Sequence, residues 1–120
     1  VRDGLLFHNG KPVTAEKFAA SMNFQIKNSP ATRSLLPNAS VKATGARELV
    51  LTTETANPNV PAALADESGF PIFDAECIEK AGGKNEKIIA GGCYTGAYKL
   101  ESLDDREMTA AAFPNYWQGA

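Results

Sequence analysis

Histidine occurs once in these 120 residues, tryptophan once and cysteine twice, so the side chains that do most catalytic and metal chemistry are scarce. A four-ligand zinc site is hard to assemble from His8, Cys77 and Cys93. Neither sign of charge is in excess: 12 basic side chains face 14 acidic ones, for a formal charge of −2. That balance leaves no electrostatic footprint for nucleic acid or for anionic lipid. No stretch approaches the ~20 apolar residues of a membrane span. Gly91-Gly92 and Gly96 lack the lysine-serine/threonine pair and following helix of a phosphate loop. No Cys-x-x-Cys motif, internal repeat or low-complexity tract is present. What is left is an ordinary globular composition, 43% hydrophobic and 22% charged, long enough for one core.

The chain also lacks an initiator methionine and opens on Val1-Arg2-Asp3-Gly4, which reads as mid-structure. We expect an excised or processed piece of a longer protein; a small mature protein is the alternative.

Several segments carry clear local signals. Leu5 to His8 is a short apolar run closed by Asn9-Gly10, a strong turn pair. Thr14 is placed to cap a helix over 15–27, in which Phe18, Met22 and Ile26 recur every four residues beside Ala15 and Ala19. Asn28-Ser29-Pro30 ends it, because proline pushes the preceding residue out of the α region. Ala31 to Leu36 has the makings of another helical turn or two. Val41 to Thr44 and Glu48 to Thr53 read as a hairpin around Gly45-Ala46-Arg47. Val60 to Asp66 reads as a short helix closed by Gly69, and Asp74 as the cap of a helix over 75–81 ended by Gly82-Gly83. Lys84 to Lys87 is expected to be a charged loop and Ala90-Gly91-Gly92 flexible chain. Tyr98 to Leu103 and Met108 to Phe113 form a second hairpin about Asp104-Asp105. Helices and strands without regular βαβ alternation give an α+β fold, with two hairpins and three or so helices.

Candidate chemistry is sparse. His8, beside a turn, reads as a structural or solvent-facing residue, since no nucleophile or orienting acid accompanies it. Asp66-Glu67 and Asp104-Asp105 read as solvated turn chemistry rather than acid–base pairs. No nucleophile–base arrangement supports catalysis, so we expect a protein that is not an enzyme and uses no cofactor or metal. Cys77 and Cys93 flank the loop 78–92; a bridge would contribute ~3 kcal/mol in the chain-entropy model and would persist only in an oxidising compartment. Two separate buried thiols remain the alternative, because sequence does not set the Cα separation. Tyr94, Tyr98, Phe113, Tyr116 and Trp117 crowd the C-terminal part, as packing aromatics or as a stacking surface.

The stretch Arg2-Asp3-Gly4-Leu5-Leu6-Phe7-His8-Asn9-Gly10-Lys11-Pro12-Val13-Thr14-Ala15-Glu16 resembles the opening signature of the family 5 extracellular solute-binding proteins. Tyr94-Thr95-Gly96-Ala97-Tyr98-Lys99-Leu100 resembles that family's glycine-threonine-glycine-proline-tyrosine strand, and Pro114-Asn115-Tyr116-Trp117 its proline-aspartate-tyrosine-tryptophan ending. Asn9 stands for the usual aspartate, Tyr94 for a glycine and Ala97 for a proline. The resemblance implies a periplasmic-binding-protein-like II receptor of an ABC importer. Residues 1–120 would be a single fragment: the smaller subdomain of the first lobe, with 94–120 returning toward the main sheet. It implies a peptide-like small solute and a membrane permease as partners, a monomer without nucleic-acid business, and a place in the periplasm or lipid-anchored at the outer face of the cell membrane. Tyr94 and Thr95, where irregular chain enters a strand, are the expected ligand-binding residues. A ligand-sensing domain of a bacterial transcription regulator is the alternative.

Overall fold

Thr14 holds extended backbone, φ −81° and ψ 166°, and its hydroxyl accepts the backbone N–H of Lys17 at 3.3 Å, which starts the first helix. The computed structural model describes residues 1–66 and 70–119. Its chain divides into two compact units, one of Val1 with 14–72 and one of 2–13 with 73–120.

In the first unit, α1 (Ala15–Asn28) buries Ala15, Ala19, Met22 and Gln25 along one face. Ser29, extended ahead of Pro30, closes α1 with its N–H on the Gln25 carbonyl and caps α2 (Pro30–Leu35) with its side chain. The strands β1 (Ser40–Ala43) and β2 (Leu49–Thr52) pair antiparallel, with Val41 opposite Leu51. Val41 packs on Ala19 and Met22, with Phe18, Ile26, Leu49 and Leu51 around them. Asn23 fastens helix to strand: its amide donates to the Val41 carbonyl at 2.8 Å and its oxygen accepts the Val41 N–H at 2.9 Å. A side chain thus takes the place of a neighbouring strand, which satisfies both backbone groups of β1 at that point. A second cluster joins Leu36, Ala39 and Ala63, the last from α3 (Val60–Ala65).

In the second unit, α4 (Ala75–Ala81) ends on Gly82 in the left-handed region, φ 61°. Asp74 occupies the N-cap position of α4 without a side-chain bond to its first turn; its N–H donates instead to the Cys93 carbonyl at 2.7 Å. The helix α5 (Asn85–Gly91) occupies the stretch expected to be loop and flexible chain. Ile88, buried against Ala81 and Cys93, recruits these residues, and Gly92 at φ 57° closes them. Among the described residues the chain therefore has five helices rather than three or so. Strands β3 (Tyr98–Leu103) and β4 (Met108–Ala112) form the second hairpin, with a register irregularity between Leu100 and Ser102. Asp104 makes its turn, accepting the N–H groups of Arg106 and Glu107, each at 2.8 Å. The apolar run before Asn9-Gly10 forms only the isolated bridge Leu6–Pro12, because the turn joins segments too short for a ladder. Gly69 and Glu67, assigned to a helix end from the sequence, lie outside the described residues.

Candidate functional site

The segment from Gly92 to Ala97 lies between two other pieces of the second unit. On one side Asp74 N–H reaches the Cys93 carbonyl, and Phe73 bridges Tyr94 in antiparallel fashion. On the other, His8 N–H donates to the Tyr94 carbonyl at 2.8 Å and Asn9 N–H to the Gly92 carbonyl at 3.1 Å. At its end Phe113 N–H donates to the Ala97 carbonyl at 2.7 Å, so the segment runs directly into the β3–β4 hairpin.

Backbone approach at this place is close. A Cβ on Gly92 would lie 2.8 Å from Asn9 N and 2.9 Å from the His8 carbonyl carbon, and its φ of +57° is itself unfavourable for other residues. Gly91 has the same constraint from sulfur: an added Cβ would meet Cys77 Sγ at 2.9 Å and Cys93 Sγ at 3.2 Å. The two cysteine sulfurs are at bonding distance, with Cα atoms 5.5 Å apart, and the pair ties α4 to the start of the segment. Cys93 is fully buried, whereas Cys77 is half-buried.

His8 is buried and edge-on to Phe113, ring centroids 5.0 Å apart. Its Nε2 lies 3.1 Å from the Gly96 carbonyl oxygen. A carbonyl only accepts, so Nε2 carries the proton and donates. Of the two roles expected for His8, structural or solvent-facing, burial leaves the first, and the imidazole is a positioning group for the Tyr94–Gly96 segment. No local signal pointed to it, because its partner lies 88 residues along the chain.

Tyr94 stacks edge-to-face on buried Phe73, centroids 6.4 Å apart, and keeps 38% of its surface exposed. Thr95 beside it is half-buried. This gives an aromatic face and a hydroxyl on a rigidly bonded backbone, which suits binding better than catalysis. The other terminal aromatics divide. Phe113 is buried, Tyr98 is exposed, and Trp117 carries the Arg2 guanidinium 3.8 Å above its ring. In the first unit, a hollow of about 300 Å³ is lined by Phe18, Met22, Leu51, Phe70 and other apolar residues. Among the described residues its lining side chains are all apolar, so none of them would orient a polar solute. Among the described residues no three histidine, cysteine, aspartate or glutamate side chains are grouped to hold a metal ion.

The family model described as bacterial extracellular solute-binding proteins, family 5 Middle, matches residues 1–120. The nickel-binding protein NikA of Staphylococcus aureus is 28% identical over 120 residues, covering 99% of this chain and 23% of its own. The crystal structure of that organism's NikA in complex with Ni(L-His)2 superposes with a TM-score of 0.77 at 26% identity, over 99% of this chain and 24% of that one. The oligopeptide-binding protein AppA of Bacillus subtilis, in complex with a nonapeptide, shares the fold with a TM-score of 0.69 at 16% identity, over 99% of this chain and 25% of that one. The chain spans about a quarter of the length of these relatives. Matched from its first residue to its last, the chain belongs to the family 5 extracellular solute-binding proteins, which are binding proteins and not enzymes.

Proposed function

We propose that this chain is the smaller subdomain of the first lobe of a solute receptor, with 94–120 returning toward the main sheet. The receptor serves an ABC importer: it binds oligopeptide or a similar small solute and delivers it to a membrane permease. The match of the family across all 120 residues carries this reading. The receptor acts as a monomer, in the periplasm or lipid-anchored at the outer face of the membrane. Tyr94 and Thr95 contact the solute, through the exposed tyrosine ring and the threonine hydroxyl. Hinged closure of two lobes would complete the pocket, so most of the contacts come from residues outside this chain.

The likeness to NikA favours a second choice of solute, a metal chelated by amino acids. No metal-holding group of side chains exists among the described residues, so here the chelate's organic part would be what the chain touches.

Calorimetry on a receptor containing these residues separates the choices. Peptides and nickel–histidine are titrated in turn, and Tyr94→Ala is expected to weaken the solute that binds by about tenfold. Unchanged affinity in Tyr94→Ala would remove Tyr94 from the site. The 120-residue chain alone should give no measurable heat, and a micromolar response from it would overturn the placement of the pocket.

A further inference from the structure

Beside the cysteine pair lies an open pocket of about 320 Å³ that the solute reading does not use. Three lysines line it, Lys11 from the Asn9-Gly10 turn, Lys80 from α4 and Lys87 from α5, against one carboxylate, Glu76. Cys77 forms part of its wall and Gly91 another part, while Cys93 lies fully buried and does not line it. The Asn9-Gly10 turn and two consecutive helices thus bring cations to the pocket that Cys77 lines, in a protein whose overall charge is slightly negative.

We propose that this pocket is an entry site for small anionic thiols, which open the Cys77–Cys93 bond by attack at Cys77. The incoming thiolate bonds to Cys77 Sγ, the Cys77–Cys93 bond breaks, and its electron pair leaves on Cys93, which takes a proton from water. A second thiol of the same kind then displaces Cys77 from the mixed disulfide. Two free cysteines and one small-molecule disulfide result, the external thiol being oxidised. Access selects the sulfur: burial of Cys93 bars attack there, and the cost of expelling a buried thiolate slows the step at Cys77 without redirecting it. The lysines raise the local concentration of a negatively charged attacker and lower the cost of its approach. Gly91 keeps the path open, because any side chain there would stand against both sulfurs. The site is independent of the solute assignment.

The test measures opening of the Cys77–Cys93 disulfide, in a purified receptor containing these residues, by three thiols of different charge: 2-mercaptoethanesulfonate, 2-mercaptoethanol and cysteamine. Each rate is divided by that thiol's rate with a neutral small-molecule disulfide, which removes intrinsic reactivity. At ~10 mM ionic strength the normalised rate for the sulfonate is expected to exceed that for cysteamine about fivefold, falling below twofold at ~0.5 M salt. The combined variant Lys11→Gln, Lys80→Gln, Lys87→Gln should bring the ratio to about one. All three lysines are exposed, so these changes leave the core alone. Acid quenching and peptide mass mapping should find the mixed disulfide on Cys77. Equal normalised rates in the starting protein, a mixed disulfide on Cys93, or a rate independent of thiol concentration would each overturn the proposal.

Discussion

The two hairpins are built alike and used differently. Both are antiparallel, both turn on short polar loops, yet β1–β2 lays Val41 and Leu51 on α1 while β3–β4 leaves Tyr98, Leu103 and Met108 largely uncovered. The same contrast runs through the units that hold them. The first relies on apolar clusters around Met22 and Leu36. The second has a small cluster around Ala81, Ile88 and Cys93, besides buried Phe7, Phe73 and Phe113, and adds backbone bonds, a cysteine pair and glycines where segments touch. Strand pairing therefore needs only local sequence, whereas what covers a strand is decided by helices elsewhere.

Intrinsic fluorescence sharpens this comparison, because Trp117 and all three tyrosines belong to the second unit. Far-ultraviolet circular dichroism reports both units. The largest effect is expected from Leu36→Ala, which empties a fully buried site in the first unit and costs about 2–5 kcal/mol. It should lower the dichroism midpoint in denaturant and leave the fluorescence midpoint in place; equal shifts in both would show that the units unfold as one. Replacing both cysteines by serine should cost about 3 kcal/mol and shift the fluorescence midpoint together with the second unit's share of the dichroism. Thr14→Ala removes the hydroxyl that accepts Lys17 N–H and should cost about 1 kcal/mol, again seen by dichroism alone.

The smallest effect is a pH response at the turn of β3–β4. The N–H groups of Arg106 and Glu107 hold the Asp104 carboxyl below its ordinary range. A group depressed in the folded state stabilises above its unfolded value, and that contribution disappears as pH falls through the folded one. The amide resonances of Arg106 and Glu107 should therefore move on acidification, with a midpoint below that of an unstructured aspartate. Asp104→Ala should abolish this shift; persistence would assign it to another carboxyl.

Much of this was legible along the chain. Thr14, Ser29-Pro30, Gly82 and Asp104 act at their own positions, through hydrogen bonds or backbone restrictions reaching a few residues at most. The helix 85–91 was not legible, because Lys84 to Lys87 is charged and Gly91-Gly92 follows; burial of Ile88 against Ala81 and Cys93 outweighs that composition. Asp74 stands at the cap position read for it, without a side-chain capping bond to the helix, while its N–H meets the distant Cys93 carbonyl. At the candidate site, the motif around Tyr94 and Thr95 could be read directly. Phe73 under the Tyr94 ring and His8 on the Gly96 carbonyl could not, since both contacts cross long loops.

By itself, then, the sequence determined the family, the α+β class and most helix and turn boundaries, because capping, proline and glycine effects are local and motif order survives without coordinates. Tertiary structure alone decided which scarce side chains mattered. The single histidine became a clamp on the Tyr94–Gly96 turn, and the two cysteines met beside three lysines. Such juxtapositions join residues far apart in the chain, and no local preference encodes them.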